Sequence, residues 1–235
     1  MDSKKKVVIT GSQGSLGRIL RKGLEDYFSI LCIDINSNDT SIIKVDIASE
    51  YERLKSSIKN CDVIIHLAWN SKEDYPNENI KTENKIMSEN IYRAAMEVGV
   101  PRVIMASSVH ANDYSNASKD KKISADDQCW PDTPYGVTKS YIEHLGRFYA
   151  RHHGLEVVCV RLGGVNNNNE IRYEEDSLYD KVLLYREDFI ELIRQCVITP
   201  AIPFNFAVLY GVSDNAERVH TLENFLNWKP EFPKK

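Results

Sequence analysis

The chain has 235 residues, of which 42% are hydrophobic and 27% charged. This composition is ordinary for a globular protein and excludes a disordered, collagen-like or low-complexity chain. The formal net charge of -4 offers no basic field for nucleic acid or an anionic membrane. No apolar run approaches the ~20 residues that span a bilayer, and residues 1–6 lack the apolar core of a signal peptide. Five cysteines without C-x-x-C spacing favour a reducing cytoplasm, and we predict no metal site.

Apolar runs of strand length alternate with helical patterns along the chain. The predicted strands are at 6–10, 30–35, 42–45, 63–67, 103–106 and 157–162, and the predicted helices at 15–27, 50–59, 79–98 and 134–153. The strand cores are apolar on both faces, which is typical of a parallel sheet covered by helices on both sides. We therefore predict an α/β fold with a doubly wound parallel sheet.

The composition changes at four consecutive asparagines, residues 166–169, which we interpret as a loop. Beyond them we predict a helix at 186–196, a strand at 205–210 and a last helix near 221–226. This tail is too small to be an independent domain. We therefore expect residues 1–235 to form a single domain, in which residues 166–235 cap the ligand crevice at the carboxyl ends of the strands.

The first strand leads directly into a loop with a glycine at every third position. The residues of this loop are Gly11, Ser12, Gln13, Gly14, Ser15, Leu16 and Gly17. A missing Cβ lets the backbone turn tightly and approach a pyrophosphate, and the N–H groups of the following helix point at the anion. The same three glycines also suit a plain turn between a strand and a helix.

Asp34 supports the dinucleotide reading of this loop. It ends the second strand, where a carboxylate would hold the ribose hydroxyls of the cofactor. An acid at this position repels the extra phosphate of NADP, so the pattern favours NAD. Taken alone, Asp34 is also what a surface residue at a strand end looks like.

Tyr135 and Lys139 are four residues apart in a predicted helix that begins at Pro134, so both lie on one face. A phenol has an unperturbed pKa near 10, and a neighbouring ammonium lowers that pKa by favouring the phenolate. The pair can therefore take a proton from a hydroxyl group. A lone Y-x-x-x-K pattern often arises by chance.

Ser107, Ser108 and His110 follow the fifth predicted strand, whose end opens into the ligand crevice of a doubly wound sheet. A serine hydroxyl there can hold a substrate oxygen. A serine pair after a strand is commonly only a turn, and His110 alone is commonly a loop residue. The order of glycine loop, acid, serine and Y-x-x-x-K, each between the right strands, is hard to obtain by chance.

With these motifs the chain resembles the extended short-chain dehydrogenase/reductase family, also called the NAD-dependent epimerase/dehydratase family, over roughly residues 5–165. The resemblance implies a Rossmann fold and NAD as cofactor. It also implies that Asp46 and Ile47 flank the adenine and that His66, Leu67 and Ala68 lie along the cofactor. Further assignments that it implies are Asn84 as support for the active site, Ser108 as the catalytic serine, Tyr135 as the general base and Lys139 as the lysine that binds the nicotinamide ribose.

Over nearly its whole length the chain is similar to compact uronate dehydrogenases and related sugar dehydrogenases, which oxidise the anomeric carbon of a cyclic sugar to a lactone. This resemblance implies that Ser71, Ser108 and His110 contact the sugar and that Arg172 binds a substrate carboxylate. Val109 and Gly164 depart from the polar residues of the uronate enzymes. The substrate class therefore stays open between a uronate, an aldose and an aldose phosphate.

Two other functions remain open at this point. One is a nucleotide-sugar epimerase or reductase, against which the short tail argues. The other is a dinucleotide-binding sensor without catalysis, against which the complete Ser-Tyr-Lys set argues. From the resemblance we also expect a homodimer, in which the helices at 79–98 and 134–153 pair across a two-fold axis.

Overall fold

The computed structural model describes residues 4–36, 39–71, 83–115, 117, 120–165, 168–169 and 179–233. Its centre is a sheet of seven strands, which are β1 (Lys6–Thr10), β2 (Ser29–Asp34), β3 (Ile42–Lys44), β4 (Val63–His66), β5 (Arg102–Ser108), β6 (Glu156–Leu162) and β7 (Phe206–Gly211). All neighbouring pairs are parallel, in the order β3-β2-β1-β4-β5-β6-β7. The predicted doubly wound α/β sheet is confirmed.

Helices cover both faces of this sheet. They are α1 (Ser15–Leu24), α2 (Tyr51–Ile58), α3 (Glu83–Val98), α4 (Pro134–His153), the short α5 (Tyr179–Val182) and α6 (Arg186–Ile198). Successive side chains of a strand point to opposite faces of the sheet, so alternate residues are buried in two separate hydrophobic cores. Val7 and Ile9 pack with α1 and α6 on one face, and Val8 packs with α2, α3 and α4 on the other. None of the helices in the described part of the chain combines the length and the apolar character that a membrane crossing requires.

The order of the strands reverses at β1, which lies between β2 and β4. At such a switch point the loops leave in opposite directions and open a crevice at the carboxyl ends of the strands. The register aligns Thr10 with Ile33 on one side and with His66 on the other. The glycine loop, Asp34 and the residues after His66 therefore meet at one edge of the sheet.

The observed β5 continues to Ser108, two residues beyond its predicted end. Ser107 and Ser108 pair in register with Arg161 and Leu162 of β6, so both serines are held by the sheet rather than by a turn. The described part of α3 begins at Glu83, and the predicted start at 79–82 lies outside the described residues.

The predicted helix near 221–226 is wrong, because this segment is irregular. A segment of six residues is too short to offset the cost of helix nucleation by itself. The side chain of Asn224 instead donates to the carbonyl oxygens of Leu222 and Trp228. Leu226 and Trp228 are buried in the core beside α6, so packing decides the conformation here.

Much of the tail that follows the asparagine run lies in the layers of the sheet. Helix α6 packs against α1, and β7 pairs with β6 at the sheet edge. The carboxylate of Asp188 on α6 accepts hydrogen bonds from the backbone N–H groups of Glu231 and Phe232, which anchors the C-terminal segment. Residues 166–167 and 170–178 lie outside the described residues, so a cap over the crevice stays a prediction.

Candidate active site

The glycine loop is folded too tightly for side chains at two of its glycines. Gly11 has a φ of +66°, and a Cβ there would lie 2.6 Å from the backbone nitrogen of Ala68. A Cβ on Gly17 would overlap the carbonyl oxygen of Gly11. Gly14 is the N-cap of α1, and no side chain caps this end of the helix. The first backbone N–H groups of α1 can therefore bind an anion.

Asp34 reaches the same loop from the end of β2. Its carboxylate accepts hydrogen bonds from the backbone N–H groups of Gln13 (2.8 Å) and Asn36 (3.0 Å). These two hydrogen bonds fix the side chain beside the loop, and only 8% of the residue is exposed.

A cleft of about 1240 Å³ opens from the glycine loop along the carboxyl ends of β1, β2 and β4. The predicted cofactor and substrate residues that line it are Gly11, Gln13, Gly14, Asp34, Asp46, Ile47, Leu67, Ala68 and Ser71. Of the other loop residues, Ser12 and Gly17 are buried and Leu16 packs against the core. Ser15 begins α1 and is exposed at the surface of the loop. One cleft therefore holds a loop with glycines at its turns, a helix N-terminus without a side-chain cap, and a carboxylate. This combination fits a dinucleotide.

Asn84 supports a segment of the chain that lines this cleft. Its amide oxygen accepts from the backbone N–H of Asn70 (2.8 Å), and its amide nitrogen donates to the carbonyl oxygen of Asn70 (3.1 Å). The side chain is buried, so it holds the segment after β4 in place and does not face the cleft itself. Ser71 follows at the exposed end of the same segment.

Lys139 is buried on the inner side of α4, only 4% exposed. Its ammonium nitrogen donates to the carbonyl oxygen of Ala106 on β5 (2.7 Å) and lies 5.4 Å from the centre of the Tyr135 ring. Helix α4 begins as predicted, with Pro134 in its first turn and Thr133 as N-cap, whose hydroxyl accepts from the N–H of Gly136.

Gly136 brings the first turn of α4 against the end of β5. A Cβ at this position would overlap the carbonyl oxygen of His110, so only glycine allows this approach. The contact places the Tyr135 ring edge-on to the His110 ring, with centroids 5.8 Å apart. Ser108 is the last residue of β5 and lies two residues before His110. Its buried hydroxyl accepts a hydrogen bond from the backbone N–H of His110. Ser108, Tyr135 and Lys139 therefore converge at the carboxyl end of β5.

Two histidines of this region have different surroundings. His66 ends β4 with its Nδ1 2.7 Å from the hydroxyl of Thr10, and burial together with the charge of Lys139 lowers its pKa to about 3. His110 is partly exposed, and its Nδ1 lies 3.0 and 2.9 Å from the two carboxylate oxygens of Asp132. The first ring is therefore neutral, and the second is hydrogen-bonded to the carboxylate of Asp132 at the mouth of the site.

A buried charged network supports α4 from below. Ser107 donates to Glu143 (2.5 Å), which also accepts two hydrogen bonds from Arg161 on β6 (3.0 and 2.9 Å). Arg161 further donates to the hydroxyl of Tyr210 on β7. Burial by itself would lower the pKa of Arg161, but the hydrogen bonds and charge of Glu143 raise it. The network ties the helix that carries Tyr135 and Lys139 to three strands.

A family model described as "NAD dependent epimerase/dehydratase family" matches residues 7–179. The chain belongs to this family. The match spans all of the motifs above, from the glycine loop through the Tyr135–Lys139 pair, and confirms the resemblance inferred from the sequence.

Two relatives of this epimerase/dehydratase chain are named as sugar dehydrogenases. The uronate dehydrogenase of Pseudomonas syringae pv. tomato is 31% identical over 216 residues, which are 89% of this chain and 75% of that protein. The L-arabinose 1-dehydrogenase (NAD(P)(+)) of Haloferax volcanii is 29% identical over 184 residues, which are 73% of this chain and 72% of that protein. The predicted class, an NAD-dependent enzyme related to sugar dehydrogenases, is confirmed.

A solved structure gives the same result for the fold and the cofactor. A mutant of the uronate dehydrogenase from Agrobacterium tumefaciens, complexed with NAD, matches with a TM-score of 0.83 at 28% identity. The match covers 96% of this chain and 84% of that chain.

Three residues of the candidate site were not predicted from the sequence. The Trp69 ring contacts the Lys139 ammonium and meets Tyr135 edge-on. Gly136 allows the approach of α4, and Asp132 bonds to His110. Gly136 could have been found from the sequence, because glycine destabilises a helix and its presence inside a helical pattern indicates a close packing contact. Nothing local marked Trp69 or Asp132.

The departure at Gly164 has a structural reason. A Cβ there would overlap the ring of Tyr179, and the backbone of Gly164 bonds to Val182 and Leu184. The segment at 179–184 thus packs directly on the end of β6. Arg172, the predicted carboxylate ligand, lies outside the described residues.

Proposed function

We propose that this protein oxidises C1 of a cyclic sugar to a lactone with NAD, and that Ser108, Tyr135 and Lys139 carry the reaction. The observation that carries the proposal is the buried ammonium of Lys139 on the same helix face as Tyr135, at the strand end where Ser108 lies. A lysine held at a backbone carbonyl and almost excluded from water is costly unless its charge is used.

Tyr135 acts as the base. The positive charge of Lys139 favours the phenolate over the phenol, so Tyr135 can accept the proton of the C1 hydroxyl at neutral pH. Ser108 donates a hydrogen bond to the same sugar oxygen as it becomes a carbonyl oxygen, which stabilises the charge that develops there. His66 stays neutral beside Lys139 and does not compete for the proton.

NAD, when bound, supplies the acceptor for the hydride that leaves C1. The backbone of Gly11, Gly14 and Gly17 and the end of α1 would hold its pyrophosphate. Asp34 would hold the adenosine ribose, Asp46 and Ile47 would flank the adenine, and Lys139 would bind the nicotinamide ribose. Leu67 and Ala68 line the cleft between these points.

The sugar would lie between Ser71, Ser108 and His110, with Arg172 as the ligand of any carboxylate. The relatives named above act on a uronate and on L-arabinose, and this range supports a sugar whose ring carries the reacting hydroxyl at C1. Within that range the class stays a choice between uronates, aldoses and aldose phosphates.

The test is NADH absorbance after purified protein is mixed with NAD+ and each of D-glucuronate, D-galacturonate, L-arabinose, D-glucose and D-glucose 6-phosphate. Turnover on one class is expected. Tyr135→Phe should lose that turnover and keep the thermal shift given by NAD+. Full activity in Tyr135→Phe would contradict the mechanism, and silence of the wild type on the whole panel would favour a nucleotide-sugar enzyme or a sensor.

The homodimer is part of the same proposal. Its support is a row of exposed apolar side chains on the outer faces of α3 and α4, namely Ile86, Val137, Tyr141 and Phe148. Light scattering of the purified protein should give twice the chain mass, and a monomer would refute this. A cytoplasmic location is likewise proposed, supported by five free cysteine thiols.

A further inference from the structure

Asp132 and His110 form a paired contact at the mouth of the site. Both carboxylate oxygens of Asp132 lie within hydrogen-bond distance of His110 Nδ1, at 3.0 and 2.9 Å. The structure shows no hydrogen bond from His110 Nε2 to any residue that it describes. One ring nitrogen is therefore bound by the protein, and the His110 side chain as a whole is 26% exposed.

The carboxylate decides which nitrogen of His110 carries the proton. An ionised Asp132 can only accept hydrogen bonds, so the neutral imidazole must place its hydrogen on Nδ1. Nε2 is then left with a lone pair and can accept a hydrogen bond from a ligand. A neutral histidine with the opposite tautomer would offer a donor at the same point.

Asp132 is itself held in place by the start of α4. The hydroxyl of Thr133, the N-cap, donates to its Oδ1 (3.1 Å), and the first turn of the helix carries Tyr135. The rings of Tyr114 (5.3 Å) and Tyr135 (5.8 Å) pack edge-on against His110. These contacts fix both the rotation and the tautomer of the imidazole. Through Asp132, His110 Nδ1 is linked to the start of α4, the helix that carries Tyr135.

We propose that Asp132 is a positioning residue that orients His110 so that Nε2 accepts a hydrogen bond from a second hydroxyl of the sugar, next to the hydroxyl that Tyr135 deprotonates. The proposal rests on the proposed function, because it needs a sugar in this site. It assigns His110 an acceptor role and therefore makes this contact selective for a hydroxyl group. A site built to bond a hydroxyl discriminates strongly against an analogue that lacks it.

The first test reads the tautomer without any substrate. The imidazole nitrogens of uniformly 15N-labelled protein, observed near neutral pH, should show His110 protonated on Nδ1 and not on Nε2. The spectrum of His110→Gln identifies the signal. Asp132→Asn keeps an acceptor oxygen and should keep this tautomer, whereas Asp132→Leu should lose it. A wild-type His110 protonated on Nε2 would overturn the proposal.

The second test separates sugar binding from the chemical step. With the panel sugar that the wild type turns over, Asp132→Leu should raise KM by about tenfold or more and change kcat less, because a hydrogen bond in the site is lost. Asp132→Asn should restore much of the loss. The matched control is Asp127→Leu, which removes another loop carboxylate whose one hydrogen bond among the described residues is with the backbone N–H of Ser124. Circular dichroism melting shows that each variant is folded.

Monodeoxy analogues of the same sugar locate the contact. The analogue that lacks the bonded hydroxyl should lose kcat/KM in the wild type but little further in Asp132→Leu, since both changes remove one hydrogen bond. Equal KM values for the wild type and Asp132→Leu would overturn the proposal. No turnover by the wild type would instead overturn the proposed function, and the tautomer test would still stand.

Discussion

The ammonium nitrogen of Lys139 lies 3.5 Å from the centre of the Trp69 indole ring. Trp69 also meets the Tyr135 ring edge-on, with centroids 5.6 Å apart. The negative face of an indole attracts a cation, and the attraction is stronger where water is excluded. Because Lys139 is almost fully buried, the indole helps to stabilise the charge that the proposed mechanism uses.

Replacing Trp69 should therefore weaken catalysis. Trp69→Leu removes the aromatic face and should lower kcat/KM for the sugar by roughly 3- to 30-fold, the range of a desolvated cation–π contact. Trp69→Phe should lose less. Trp130→Leu is the control, because Trp130 is 68% exposed and should have wild-type kinetics. Trp69→Leu with unchanged kcat/KM would show that the indole does not support Lys139.

Two glycines of the loop should respond differently to alanine. Gly17→Ala places a Cβ against the backbone of Gly11 and Ser12, so it should lower both stability and NAD affinity. Gly14→Ala meets only the Gly11 carbonyl oxygen, at 3.2 Å, and Gly14 is one of the residues that line the cleft. We expect it to fold normally and to bind NAD more weakly. Urea unfolding and a thermal-shift titration with NAD+ measure the two effects, and equal stability losses would contradict the geometry.

Asp34 should control the choice between NAD and NADP. Asp34→Ser removes a negative charge from a cleft that Arg18 and Lys44 also line. Without the repulsion, the ratio of kcat/KM for NADP+ to that for NAD+ should rise by about tenfold or more, as expected for one charge near the protein surface. Steady-state kinetics with both cofactors measure this ratio. An unchanged ratio would mean that Asp34 does not face the ribose.

Breaking the buried pair of Glu143 and Arg161 should be costly. Glu143→Gln leaves the Arg161 guanidinium buried without its counter-charge and should lower the free energy of unfolding by about 3–5 kcal/mol. Replacing both residues with leucine and methionine should recover much of this loss, because no unpaired charge remains. Arg53→Gln, in an exposed pair with Glu50, is the control and should unfold like the wild type. A double variant less stable than Glu143→Gln would contradict this account.

Two buried histidines should make the protein sensitive to acid. Burial lowers the pKa of His66 and of His220 to about 3, with Lys139 adding to the effect at His66 and Arg161 at His220. The unfolded chain takes up a proton at each ring near pH 6.5, whereas the folded chain takes it up only near pH 3. Stability should therefore fall as the pH falls through this window, by about 1.4 kcal/mol per pH unit for each ring.

His220→Phe should remove one share of this pH dependence. The ring of His220 packs on Tyr210 and Tyr114, so phenylalanine can replace it without a new polar group. Urea unfolding between neutral pH and about pH 4 should then give a shallower slope than the wild type. A variant at the exposed His152 should keep the wild-type slope. An unchanged slope in His220→Phe would mean that His220 is protonated in the folded state.

Local patterns were enough for the elements that build the dinucleotide cleft. The apolar runs predict buried parallel strands, the glycine spacing predicts the tight loop at Gly11, and Asp34 follows from the end of β2. The error at 221–226 came from a segment whose apolar residues pack at irregular intervals into the core. There Asn224 bonds its neighbours' carbonyl oxygens in place of a helix.

The sequence by itself determined the alternation of strands and helices, the glycine loop and the spacing of Tyr135 and Lys139, because each depends on periodicity or on the backbone freedom of single residues. Only the tertiary structure decided which side chains meet. His110 contacts Asp132 from 22 residues away, and Trp69, in the segment after β4, contacts Lys139 on α4. Such pairs arise because parallel strands bring their carboxyl ends to one edge of the sheet, where residues distant in the chain share a small volume.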